Sequence, residues 1–159
     1  MARESSLWDW LSKGRKELGD QLHVTRIENA VSAGMPDVEG YLKLPDCEGQ
    51  FWLELKSEER PAKPSTLLRF KVRQAQVDWI NERWAVGGNV FWLLQVGSGP
   101  DRILYLAPGP LGPQLQRGVT ESELAIECVR YAIFKAPFHH EAIFKKAVQC
   151  RSNQYLFPR

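Results

Sequence analysis

No stretch of this sequence runs apolar for the roughly 18 residues that a bilayer-spanning helix needs, so no membrane span is expected. The first 19 residues contain acidic side chains and no uninterrupted apolar core, which argues against a secretory signal. Cysteine is scarce and odd in number. Cys47, Cys128 and Cys150 are widely spaced, a pattern that speaks against a disulfide framework and for a reducing, cytoplasmic setting. A charge excess of one sign is nearly absent too: 21 Lys and Arg against 19 Asp and Glu leave +2, too little to imply a nucleic-acid partner by itself. Internal repeats and low-complexity segments are missing. What remains is the composition of an ordinary globular domain, 43% apolar and 25% charged, with six tryptophans in 159 residues. A chain of that length can bury a real core without staples.

The placement of the charges says more than their sum. Between Lys56 and Arg73 lie Lys56, Arg60, Lys63, Arg69, Lys71 and Arg73, opposed only by Glu58 and Glu59. Between Arg130 and Arg159 there are again six basic residues, with Glu141 the one acid. Either run could follow a phosphate backbone, and either taken alone equally suits a solvated, lysine-rich surface.

Hydrophobic periodicity predicts an amphipathic helix over residues 5–18, with Ser5 or Ser6 as its N-cap. Residues 23–28 alternate polar and apolar and fit either a short strand or the start of a second helix. Gly34-Met35-Pro36 breaks whatever precedes it, because proline drives its neighbour from helical angles. Residues 37–44 and 50–57 are then predicted as an antiparallel hairpin. The segment 58–68, with Pro61 and Pro64, reads as a basic loop, and 70–84 as a helix that Gly87-Gly88 ends. Residues 89–96 (NVFWLLQV) suit a fully buried strand, with 102–107 as its hairpin partner. Residues 108–113 (PGPLGP) read as a stiff connector, and 121–134 and 140–150 as helices. Helix, strand hairpin, helix and strand in this order predict an α/β domain with a mixed central sheet. Its core spans residues 1–107, and 108–159 form a helical extension of the same domain, DNA-contacting or dimerising.

The second strand of the hairpin carries the chemistry. Side chains alternate along a strand, so Phe51, Leu53 and Leu55 face one layer while Trp52, Glu54 and Lys56 share the other. Asp37 opens the preceding strand, and an antiparallel partner can bring it across from Glu54. Two carboxylates so placed repel each other unless a cation lies between them. Mg²⁺, or Mn²⁺, suits the position, because Mg²⁺ takes one or two protein carboxylates and fills its shell with water and substrate phosphate. A metal there, with Lys56 beside the attacking water, fits phosphodiester hydrolysis. The plain alternative for Glu54 and Lys56 is a salt-bridged pair on a wet sheet face. The apolar character of residues 51–55 weighs against it.

These residues also carry a resemblance. Glu28, then Gly34-Met35-Pro36-Asp37-Val38, then Trp52-Leu53-Glu54-Leu55-Lys56 resembles the PD-(D/E)XK nuclease superfamily. Downstream, Arg73-Gln74-Ala75-Gln76-Val77-Asp78-Trp79 looks like the helix after the catalytic hairpin in its virus-type replication-repair and Holliday junction resolvase-like members. The resemblance covers about residues 26–96. It implies a restriction-endonuclease-like core of order αβββαβ and a divalent-metal-dependent DNA endonuclease acting on structured or branched substrates. Such enzymes leave 5′-phosphate and 3′-hydroxyl ends. Asp37 and Glu54 are implied as metal ligands, Leu55 as a ligand through its carbonyl, Lys56 as the residue that orients the water, and Glu28 as the upstream acid. In those members a glutamine faces the site. Gln76, followed three positions on by Trp79, matches it best, with Gln74 the competitor. Arg60, Lys63, Arg69, Lys71 and Arg73 are the expected DNA contacts, and symmetric action on branched DNA would call for a homodimer. The small size would suit a phage or mobile-element protein.

Other readings stay in view. A sequence-specific cutter of restriction or homing type would use the basic C-terminal region to read bases, and a non-catalytic DNA-binding module would need only the charges. Glu39 shares a strand face with Asp37 and is a fallback ligand. Cys128, His139, His140 and Cys150 lack the short spacing of a zinc site, and nothing around His139-His140-Glu141 supplies a histidine-based metal loop.

Overall fold

The computed structural model describes residues 3–28, 32–128 and 132–152. Six strands form one mixed sheet in chain order: β1 (Leu22–Arg26), β2 (Val38–Lys43), β3 (Glu48–Glu58), β4 (Val90–Val96), β5 (Ile103–Pro108) and β6 (Ala132–Lys135). Every neighbouring pair is antiparallel except β3 and β4, which run parallel. A parallel pair cannot be closed by a tight turn. Residues 59–89 make this crossover and carry helix α3 (Gln74–Ala85). β4 is buried along its whole length, as a central strand covered on both faces must be.

Helices cover both faces. On one, Leu7 and Leu11 of α1 (Glu4–Ser12), Leu18 of α2 (Gly14–Leu18) and Phe144 of α6 (His140–Ser152) pack on Phe51, Leu53, Leu55 and Phe91. On the other, Val77 and Ile80 of α3, Leu115 of α4 (Gly112–Arg117) and Leu124 of α5 (Glu121–Cys128) pack on Trp92, Leu94 and Tyr105. The two clusters are the two sides of one sheet, in a three-layer α/β arrangement. Among the described residues no helix is long and apolar enough to cross a membrane.

Several expectations change. The first helix divides at Lys13 into α1 and α2, and Arg3 stands at its N-cap with no side-chain cap. Gly14 sits at the break, where an added Cβ would come within 2.9 Å of Leu22 and 3.1 Å of Phe144. Residues 22–26 are a strand. Helix α3 begins at Gln74 rather than at residue 70, because the preceding segment is drawn into the core. Leu68 and Phe70 are buried, and Leu68 exchanges backbone hydrogen bonds with Val119. The proline-rich 108–113 is no mere connector. It forms a 3₁₀ turn (Gly109–Leu111) and the first turn of α4, since proline is accepted in a first turn, where its missing N–H is not needed. The helix expected over 121–134 ends at Cys128, and residues 132–135 return as edge strand β6 against β5. The C-terminal part is therefore not purely helical: it completes the sheet.

Candidate active site

The β2–β3 hairpin pairs Val38 with Leu53 and Glu39 with Trp52. Continuing that register by one residue sets Asp37 against Glu54. The side chains confirm the placement. Asp37 N–H donates to Glu54 Oε2 at 3.2 Å, and Leu55 N–H donates to Asp37 Oδ2 at 3.0 Å. Each carboxylate is thus oriented by the backbone of the other strand. In a strand the N–H and C=O of one residue leave from the same edge, so the Leu55 carbonyl projects on the Asp37 side as well.

Glu54 and Lys56 point under α3, not into water. Glu54 is 1% exposed and Lys56 6%, with Nζ 3.3 Å from Glu54 Oε1. A wet-face ion pair is excluded by those exposures. Burial, followed by the charge of Asp37, pushes the Glu54 carboxyl up to about 8, against the pull of Lys56. A carboxyl in that condition favours either a proton or a cation beside it. Asp37 is partly exposed, so the cluster is approached from its side.

Gln76 completes the group. It is 3% exposed, inside the buried face of α3 rather than at the edge of the apolar stripe, as its helical spacing suggests. Its Oε1 accepts from Arg73 N–H at 3.0 Å, which satisfies a donor that a helix start leaves free. With the oxygen committed, Nε2 must turn outward from the helix end, and it donates to Glu54 Oε1 at 2.5 Å. Gln74, the competitor, bonds instead to Asp78 on the exposed face.

Gly34 explains how the loop before Asp37 lies so close to α3. Its φ is +81°, and an added Cβ would fall 1.9 Å from the Ala75 carbonyl oxygen. Only a residue without a side chain permits that backbone-to-backbone approach.

Other expected site residues are not brought in. Glu28 follows β1, is 75% exposed and lies 3.9 Å from Arg26. Glu39 accepts from Gln50 on the exposed surface. Among the described residues no group of three or more His, Cys, Asp or Glu is assembled to hold a metal; the carboxylate pair stands alone. Trp92, on β4, shares the face of Glu54 with Trp52, but is buried and donates to the Gly109 carbonyl. Trp52 packs edge-on against Trp79 at 5.1 Å between ring centroids, beneath the Arg83 guanidinium.

Of the expected DNA contacts, Lys63, Arg69, Lys71 and Arg73 are exposed. Arg60 is not free for a phosphate. Its Nε and Nη2 donate to the two carboxylate oxygens of Glu121 at 2.8 and 3.0 Å, and Nη1 to the Asp101 carbonyl at 2.9 Å. Tyr105 Oη also donates to Glu121, at 2.8 Å. Sequence reasoning missed this cluster, because 61 residues separate Arg60 from Glu121. In the C-terminal basic run, Lys145 is paired with Asp46, while Arg130 and Arg159 lie outside the described residues. His140 stacks on Trp10, with its nitrogens on Glu17 and the Trp10 carbonyl. It ties α1, α2 and α6 together through these contacts.

No protein-family model matches the chain, and no curated protein matches it significantly.

Proposed function

We propose that this protein is a divalent-metal-dependent DNA endonuclease of the PD-(D/E)XK type. The observation that carries the reading is the joining of Asp37, Glu54, Lys56 and Gln76 into one hydrogen-bonded cluster at the head of a β-hairpin. The order α1/α2, β1, β2, β3, α3, β4 agrees with the αβββαβ core that the sequence resemblance implies.

The residues fit the metal. The buried Glu54 carboxylate is held beside the partly exposed Asp37, whose charge raises the cost of ionising Glu54, and all the donors are hard oxygens. That set suits Mg²⁺ or Mn²⁺ completed by water and phosphate. Asp37 and Glu54 would hold the ion, with the Leu55 carbonyl on the same edge. When bound, the metal supplies Lewis-acid polarisation of a phosphate and a water of lowered pKa.

The chain does the rest. Gln76 and the Asp37 N–H fix the Glu54 carboxylate so that little reorganisation is needed during reaction. The Lys56 ammonium has three donors; one serves Glu54, and the others can hold the attacking water and a phosphate oxygen. Burial strengthens these interactions by excluding water. Lys63, Arg69, Lys71 and Arg73, on the chain between β3 and α3, give cationic purchase on the backbone of the DNA. Glu28 and Arg60 have no part in this reading.

The test is cleavage of junction, flap, nicked and linear duplexes with Mg²⁺, Mn²⁺ or chelator. Cutting of at least one DNA that needs the metal, leaves 5′-phosphates and disappears in folded Asp37→Ala and Glu54→Ala is the expected result. DNA that is bound but uncut under all conditions would leave a binding module, and equal cutting by the variants would remove the site.

A further inference from the structure

On the same side of the sheet as the carboxylate cluster lies a cavity of about 280 Å³ that the reaction does not use. Tyr105, itself 3% exposed, is among the residues that line it. One wall is the face of α5 that presents Glu121, Ser122 and Ala125; the other is the turn from Arg60 to Thr66. Pro61, Pro64 and Ala125 bring carbon to its lining, and the exposed Lys63, Thr66 and Ser122 belong to the lining as well. Thr66 N–H donates to the Lys63 carbonyl, which fixes this turn with proline in its second position.

One further observation says what the cavity suits: the Glu121 carboxylate in its lining accepts three hydrogen bonds, two from Arg60 and one from Tyr105. A carboxylate offers about four acceptor sites, so one remains for a ligand donor. Arg60 holds Glu121 below the usual carboxylate range, and it stays charged. The ladder next to the cavity places it relative to the chemistry. Lys56 pairs with Leu94, and Leu94 with Tyr105, so Tyr105 lies two strands from Lys56, about 10 Å at ordinary strand spacing.

We propose that this cavity receives one unstacked nucleobase of the DNA strand, a nucleotide or two from the bond that is cut, and that it favours bases carrying an amino group. The inference rests on the nuclease reading for its place beside the scissile bond, and on the cavity alone for its ligand. The carbon of Pro61, Pro64 and Ala125 suits the faces of a planar ring. The remaining acceptor of Glu121 suits an exocyclic amino group, as when a carboxylate reads cytosine. Lys63, exposed at the rim, suits the phosphate attached. A base in a duplex cannot enter without leaving the stack, and that costs least in mismatched or single-stranded DNA. The cavity thus selects DNA with unpaired nucleotides near the cut.

The test is titration of the protein with dCMP and with dTMP in chelator, followed by amide chemical shifts. Saturable shifts at Thr66, Tyr105 and Ser122 are expected with dCMP, with about ten-fold weaker binding of dTMP, the loss of one bond to a charged acceptor. Ala125→Trp should fill the space and abolish them, whereas Asp37→Ala should leave them intact; if Ala125→Trp does not fold, Ser122→Phe at the exposed mouth serves the same purpose. No saturable shift at millimolar dCMP, or binding unchanged in the filled variant, overturns the proposal. Binding is read without metal and without cleavage. A protein that binds dCMP here but cuts no DNA would defeat the nuclease reading alone, and one that cuts DNA but binds no nucleotide here would defeat this inference alone.

Discussion

Gln76→Ala is the substitution in which the geometry makes its strongest demand. The side chain is 3% exposed and spans two partners, Arg73 N–H at 3.0 Å and Glu54 Oε1 at 2.5 Å. Truncation leaves a helix-start donor and a buried carboxyl each short of one bond. Leaving one buried partner unsatisfied costs about 1–3 kcal/mol; Arg73 is exposed enough for water to replace its bond, so a loss of about 2 kcal/mol is expected in all. For a domain of this size that is a fall in Tm of about 4–8 °C. Activity should fall by about 10²-fold, as when one preorganised donor is removed from a site. Gln76→Glu separates the two effects. It keeps the volume and the acceptor for Arg73, but faces Glu54 with a third carboxyl. It should destabilise the metal-free protein more than alanine does and recover part of the loss when Mg²⁺ is added, since a ligand that binds only the folded state stabilises it. Urea unfolding with chelator and with Mg²⁺, alongside single-turnover cleavage at a temperature where every variant is folded, measures all of this. An alanine variant within about 0.5 kcal/mol of wild type, with unchanged cleavage, would refute the contact and the reasoning built on it.

Four further outcomes are expected. Lys56→Ala should lose most of its activity while calorimetry still finds Mg²⁺ binding, because the ammonium acts on water and phosphate; lost metal binding would make its role structural. Neutralising Lys63 and Arg69 together should weaken DNA binding equally across sequences and lower the slope of log K against log salt by about two; a changed sequence preference at constant slope would mean they read bases. In chelator, stability should decline as pH rises from about 5 to 8. The folded state holds the Glu54 carboxyl near 8, above its ordinary value, so its contribution is complete below that ordinary value and is lost as pH climbs through the folded one. Glu54→Gln should flatten the decline, and a flat wild-type profile would contradict it. Gly34→Ala should cost more than about 1 kcal/mol, since φ is +81° and the added Cβ meets the Ala75 carbonyl; chemical unfolding showing no loss would mean that the loop does not rest on α3.

The local pattern of the sequence was enough for the hairpin, the buried strand β4 and the shared face of Glu54 and Lys56. Each follows from a period of two residues and from turn residues that act on their immediate neighbours. It was also enough to single out Asp37, because an antiparallel hairpin sets the start of one strand opposite the end of the other. Tertiary structure decided the rest. Helical spacing by itself sets Gln76 beside the apolar stripe of Val72, Ala75 and Trp79, yet the docking of α3 on the sheet buries it against Glu54, since which face is buried depends on what the helix meets. Residues 132–135 carry a pattern that would serve a helix, but the open edge of β5 offers them a ladder, and they become β6. Arg60 looked like one cation among six in a basic run. Its partner lies 61 residues away on α5, a pairing that no local rule contains, because it exists only once the crossover and the C-terminal segment have packed on the same side of the sheet.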